Sequence, residues 1–231
     1  MKKNIAIIPA RGGSKRIPRK NIKVFLGKPI IAYSIDAAIR SNCFDEIMVS
    51  TDDEEIAEVA KKYGANVPFF RSKENSNDFA GLAEVVEEVM LIYDKREMVF
   101  NHFCCILPTA PLISHEKIIQ GHDLIMNSGV EAVIPVVRFS YPIQRALEIV
   151  EEKPKMIYPE NYHKRSQDLN PAFHDVGQFY WLQTKSFLKN KRFFVENSGI
   201  LEIPEIEVHD IDSEQDWKIA ELKYRIMRNL I

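Results

Sequence analysis

No apolar stretch in the 231 residues approaches the roughly 18 that a membrane span needs, so no membrane partner is expected. The N-terminus MKKNIAIIPARGG begins with lysines like a secretory leader, but its apolar run is only Ile5 to Ala10, too short for export. Cysteine is scarce. Cys43, Cys104 and Cys105 cannot build a disulfide framework, and the adjacent pair sits in an apolar run. Free buried thiols in a reducing compartment are expected, which favours the cytoplasm. Histidine and cysteine show no metal-type spacing, and there is no internal repeat or low-complexity tract. The Walker pattern G-x-x-x-x-G-K-[ST] and the dinucleotide pattern G-x-G-x-x-G are both missing, which disfavours a P-loop NTPase and NAD binding.

What is present is an ordinary globular mix, 45% apolar and 28% charged, long enough for one large α/β domain. The net charge of −2 hides an asymmetry. Nine of the 31 Lys/Arg fall in residues 1–28, which hold no acid, so 22 cations face all 33 acids in the rest. A basic segment on an acidic body suggests one local anion site and argues against a nucleic-acid surface.

Short Ile/Val-rich runs at 4–9, 46–50, 66–70, 103–107 and 132–137 read as strands covered on both faces. Between them, helical spacing marks 29–40, 53–63, 82–93 and 115–127 as helices. This alternation predicts a doubly wound, mostly parallel, Rossmann-like sheet over residues 1–231 as a single domain. Ligands of such sheets bind beyond the carboxyl ends of the strands. The rhythm breaks at about 138–176, a proline-rich inserted subdomain with a hairpin in ALEIVEEKPKMIY, suited to a lid or a subunit contact. Strand character returns at 177–182, 200–203 and 207–211, and Ser213 with Asp216 caps a last helix.

The first strand runs into IPARGGSKRIPRKN (8–21). Gly12 and Gly13 let the backbone turn and bring its N–H groups to an anion. Arg11 offers a planar fork for phosphate oxygens, Lys20 a mobile point charge, and Pro18 stiffens the loop. Far along the chain stands Asp210-x-Asp212. Extended residues i and i+2 share a side, so both carboxylates could face one Mg²⁺ with nucleotide phosphates. The same pair also suits a turn before the Ser213 helix cap.

The string IPARGGSKRIPRKN resembles the signature of the CMP-sugar-acid synthetases, cytidylyltransferases that activate nonulosonic acids and 3-deoxy-octulosonate. The resemblance extends to STD (50–52), Arg71, PTAPL (108–112) and HDIDSEQDW (209–217). FSYPIQRAL (139–147) and HDVGQFYW (174–181) resemble the subgroup that acts on pseudaminic acid. The resemblance implies CTP and a nonulosonic acid as substrates, Mg²⁺ as cofactor, a homodimer formed through the insertion, and a role in surface or flagellar glycan assembly. It implies Arg11, Lys20 and Asp212 as catalytic residues, with Asp210 and Asp212 on the metal. Nucleotide contacts would come from Ala10, Arg11, Gly12, Gly13, Ser14, Lys20, Asn21, Arg71, Asp78 and Gly81. Sugar contacts would come from Thr109, Arg145, Arg165 and Gln178, with Lys164 a further cation and Pro111 on the same turn as Thr109. Leu107 and Ile113 depart from the polar and arginine residues of sialate-type enzymes, which argues against N-acetylneuraminate. His174 beside Asp175 is read as structural or substrate-orienting. Rival classes are a nucleotide-sugar glycosyltransferase, a non-catalytic nucleotide-binding module, and a nucleotidyltransferase using UTP or GTP.

Overall fold

β1 (Asn4–Pro9) sends alternate side chains into two apolar layers. Ala6 and Ile8 join one core cluster, and Ile5 and Ile7 join the other. Every residue of the strand is buried, as a parallel strand covered on both faces requires. The computed structural model describes residues 3–230, so Met1, Lys2 and Ile231 lie outside the described residues.

Two short strands, β2 (Val24–Phe25) and β3 (Lys28–Pro29), form a small ribbon after the glycine loop. Then come α1 (Ile31–Ser41), β4 (Glu46–Ser50), α2 (Glu54–Lys62), α3 (Leu82–Lys95), β5 (His102–Ile106), α4 (His115–Asn127) and β6 (Ala132–Arg138). The hairpin expected in the insertion forms from β7 (Leu147–Val150) and β8 (Lys153–Met156). The chain returns through β9 (Phe173–Asp175) and β10 (Phe179–Gln183), and ends with α5 (Thr184–Asn190), β11 (Ser198–Glu202) and α6 (Glu214–Met227).

The main sheet runs β11-β6-β10-β5-β1-β4, with β9 on β6. β4, β1 and β5 run parallel, as do β6 and β11. β10 lies antiparallel between β5 and β6, and β9 is antiparallel to β6. The sheet is therefore mainly parallel, and the carboxyl ends of β1, β4 and β5 open at one edge.

Two expected strands are absent. At 66–70 only Asn66 bridges Met48, because Pro68 has no N–H to extend the ladder. At 207–211 the chain makes a 3-10 turn at Glu205–Glu207 and then runs unpaired. The apolar signal there was Ile211, fully buried against Ile17, Phe25, Ile30, Tyr33, Trp217 and Ala220. That third cluster fastens the glycine loop and the β2–β3 ribbon to α6. Phe25 is its hub, edge-on to Tyr33, Trp217 and Tyr224 at 5.4, 5.5 and 5.9 Å between ring centres.

Candidate active site

Ala10 continues the β1 ladder, its N–H reaching the Ser50 carbonyl at 2.9 Å. The chain then turns at Gly12, whose N–H donates to Asp52 Oδ1 at 2.9 Å. A Cβ at Gly12 would stand 2.7 Å from Asp53 Oδ2 and 3.1 Å from Asp53 Cβ, so a side chain there has no room. Asp53 is itself held, since it caps α2 by accepting the Ile56 N–H at 2.9 Å and takes both Nη groups of Arg19. The Arg19 hydrogen bonds keep its carboxyl below the usual range, with burial opposing them. Arg19 adopts the left-handed conformation (φ 56°), uncommon for a residue with a side chain, and the fork to Asp53 fixes it.

A cleft of about 440 Å³ opens at the carboxyl ends of β1 and β5. Arg11, Ser14, Lys15, Arg16, Lys20 and Asn21 form one wall, and Leu107, Pro108 and Thr109 the other. Its cations are compensated in two groups. Arg11 Nη1 donates to Asp78 Oδ1 at 2.8 Å and to the Asn77 carbonyl at 3.1 Å, and Lys15 binds the other Asp78 oxygen. Arg16 pairs with Asp212 at 2.5 Å, and Lys20 Nζ lies 3.8 Å from the same carboxylate while donating to the Ile211 carbonyl at 2.7 Å. Burial pushes the Lys20 ammonium below the usual lysine value, and the charges of Asp212 and Asp210 partly restore it. Lys15, then Arg11, hold the Asp78 carboxyl below its usual range. A cleft of this kind, with two half-exposed carboxylates on four cations, can exchange those carboxylates for phosphate oxygens.

The family model described as "Cytidylyltransferase" matches residues 5–198. The chain belongs to the cytidylyltransferase family. A pseudaminic acid cytidylyltransferase of Campylobacter jejuni is 43% identical over 97% of both chains. A CMP-N,N'-diacetyllegionaminic acid synthase of Legionella pneumophila is 34% identical over 94% of both. Among solved structures, a CMP:2-keto-3-deoxy-manno-octonic acid synthetase complexed with CTP superposes with a TM-score of 0.70. It covers 98% of this chain and 99% of its own, at 16% identity, and so speaks for the fold.

In this cytidylyltransferase, Asp212 and the glycine loop meet across some 190 residues of chain, because Ile211 between the two aspartates is buried in the cluster that holds Ile17. Asp210 flanks Ile211 on the solvent side. Asn21 is buried, with its Nδ2 on the Arg11 carbonyl at 2.9 Å, which steadies the loop from beneath. Arg71 is buried too. Its Nε reaches Ser50 Oγ at 3.0 Å and its Nη2 the Ser50 carbonyl at 2.5 Å, at the end of β4. Gly13 has open space around its Cα. Gly81 caps α3, just beyond the Asp78 segment.

The expected sugar residues divide. Thr109 lines the cleft, while Gln178 is buried with its Nε2 on the Glu207 carbonyl at 2.5 Å. Arg145 donates to the Lys164 carbonyl, and Arg165 forks onto Asp168 at 2.8 and 3.1 Å, so both are engaged within the insertion. His174 contacts its neighbour's carbonyl and the Phe139 ring, and Asp175 receives the Tyr180 hydroxyl at 2.6 Å.

Sequence reasoning noted Asp52 only within the STD string, without its contact to Gly12, and missed the Arg19–Asp53 clamp. The signal available was an STDD run at a strand end, facing a loop with more cations than the cleft needs. Among the described residues, no group of three or more His, Cys, Asp or Glu could hold a metal alone. Asp210 and Asp212 remain a pair of hard oxygen donors, which suits Mg²⁺ bound jointly with substrate phosphates.

Proposed function

We propose that this cytidylyltransferase transfers CMP from CTP to the anomeric 2-hydroxyl of pseudaminic acid, releasing pyrophosphate. The observation that carries the reading is the pairing of Asp212 with Lys20 and Arg16, which line one cleft with Arg11. The 43–44% identity to pseudaminic acid cytidylyltransferases, against 34% to the legionaminate enzyme, favours that sugar.

In this scheme Arg11, Lys15 and Lys20 leave their carboxylate partners and hold the β- and γ-phosphates. The sugar oxygen forms its bond to the α-phosphorus while the bond from that phosphorus to the α–β bridging oxygen breaks. The hydroxyl proton goes to solvent or base, and pyrophosphate departs with its charge offset by Arg11 and Lys20. Asp210 and Asp212 would hold Mg²⁺, which supplies charge neutralisation at the α-phosphate and acidifies the attacking hydroxyl. Asn21 and the Asp52 contact to Gly12 keep the loop backbone in its anion-facing shape.

Leu147, Ile149, Val150, Ile157, Tyr158 and Tyr162 leave an apolar patch exposed on the insertion, which supports a homodimer through that face. The relative named post-translational flagellin modification protein B, 31% identical over 96% of this chain, supports a role in flagellar glycan supply. The three free cysteines, Cys43, Cys104 and Cys105, support work in a reducing compartment such as the cytoplasm.

The test is pyrophosphate release with CTP and Mg²⁺ against pseudaminate, legionaminate, N-acetylneuraminate and 3-deoxy-octulosonate. Turnover with pseudaminate, lost on Mg²⁺ removal and in Asp212→Asn, is the expected result. Release with every sugar but pseudaminate would overturn the assignment.

A further inference from the structure

A second, smaller cavity of about 110 Å³ lies between the β2–β3 ribbon, α1, the start of α4 and the end of α6. Lys28, Arg40, His115 and Arg228 line it, each from a different element, and Asp36 is the only carboxylate on its walls. Ala37, Pro111 and Ile113 give it a buried apolar floor.

The cations here are held differently from those of the nucleotide cleft. Lys28 Nζ sits 4.2 Å above the Tyr33 ring centre, and the Arg228 guanidinium lies 5.5 Å from that of Tyr224. Among the described residues neither has a carboxylate at ion-pair distance. Arg40 is only loosely paired, 3.8 Å from Asp36. Aromatic faces position these charges without cancelling them. His115 is paired with Glu116 at 3.0 Å, and the charge of Glu116 also reaches Arg40, so three permanent cations stand against Asp36 and Glu116 and leave a net positive hollow on a chain whose net charge is −2. Its volume, a quarter of the cleft's, excludes a nucleotide and admits a small oxyanion.

We infer that this cavity is a second anion site, for one phosphate-class oxyanion, separate from the nucleotide cleft. It communicates with the cleft through a single turn. Pro108 and Thr109 face the cleft, Pro111, Ile113 and Ser114 face the cavity, and Ser34 of α1 donates to the Leu107 carbonyl at 2.7 Å. An anion bridging Lys28, Arg40 and Arg228 draws α1 and α6 onto that turn and restrains Thr109.

The test is calorimetric titration of the full chain with inorganic phosphate and, separately, pyrophosphate, at fixed ionic strength. The wild type is expected to show two phosphate events. Arg40→Gln with Arg228→Gln weakens one of them about tenfold or more, leaving the CTP KM in phosphate-free buffer unchanged. Lys20→Ala removes the other. Lys28→Gln, read in the same way, covers the case in which the double variant melts early. Pyrophosphate at the variant-sensitive site would identify the by-product as the source of the anion, and phosphate alone would identify the free ion. Unaltered phosphate stoichiometry and affinity in the Arg40/Arg228 and Lys28 variants, or loss of all phosphate binding in Lys20→Ala, would overturn the inference.

Discussion

Gly12→Ala and Gly13→Ala make a matched pair of perturbations in adjacent residues. A methyl at Gly13 meets nothing within 4 Å, whereas one at Gly12 lands 2.7 Å from Asp53 Oδ2 and 3.2 Å from its Cγ. Asp53 is short and doubly engaged, so it cannot yield without loosening the α2 cap and the Arg19 fork. Losing the cap costs ~1 kcal/mol. The ion pair adds about 0.5 kcal/mol, since Arg19 is 38% exposed and solvent screens it. Replacing glycine returns about 0.5 kcal/mol through the unfolded chain. The net loss is ~1 kcal/mol, which in a chain of this size lowers Tm by about 3 °C. Gly13→Ala should be neutral or slightly stabilising. In an Asp53→Ala background the Gly12→Ala penalty should largely vanish. The Gly12 variant should also raise the CTP KM, because the displaced loop no longer presents its N–H groups to the triphosphate. Scanning calorimetry with initial-rate kinetics reads both effects. Equal Tm and equal KM for the two alanine variants would refute the close-contact argument.

Removing the guanidinium in Arg11→Ala should lose ~3 kcal/mol of transition-state stabilisation, about a hundredfold in kcat/KM by pyrophosphate release. A near-normal rate would take Arg11 out of the phosphate grip. Lys20 titrates below the usual lysine value because of burial, so CTP capture should fail at lower pH than an ordinary lysine would dictate. Folding lowers proton affinity at this site, so the free protein gains stability as pH rises across that same window, and Lys20→Arg should move the alkaline limb of kcat/KM upward. Asp78 occupies Arg11 and Lys15, which the proposed scheme gives to the triphosphate, so Asp78→Asn should lower the CTP KM, and a raised KM would assign Asp78 to nucleotide binding instead. Ile149 is 70% exposed on the hairpin, and the proposed homodimer predicts that the wild type sediments as a dimer and Ile149→Lys as a monomer.

The sequence announced what depends on neighbours along the chain. β1 and the glycine loop were legible because an Ile-rich run, two glycines and six cations follow one another directly. The hairpin was legible from its alternation about Glu151 and Glu152. Contacts between remote segments were not legible. Asp52 read as the end of the STD string and Asp53 as the start of a helix, and only the fold brings them under Gly12 and Arg19. Ile211 read as a strand residue, since burial in an unpaired segment leaves the same apolar mark as burial in a sheet. The Asp210-x-Asp212 pair gave its chemistry in sequence, and its address came from Phe25 and Trp217. Residues of the insertion, such as Arg165, could be ranked only by charge, and charge alone did not reveal the Asp168 partner.

The aromatic knot around Phe25 has a consequence for biosynthesis. All strands of the main sheet precede α6 in the chain, so a nascent protein on the ribosome can complete that sheet while Trp217 and Tyr224 are still in the exit tunnel. Until they emerge, Ile17 and Phe25 lack their cover and the loop lacks its anchor. Catalytic competence therefore arrives last, and a premature stop before α6 yields a nearly intact scaffold with a slack, exposed loop that quality-control proteases can reach.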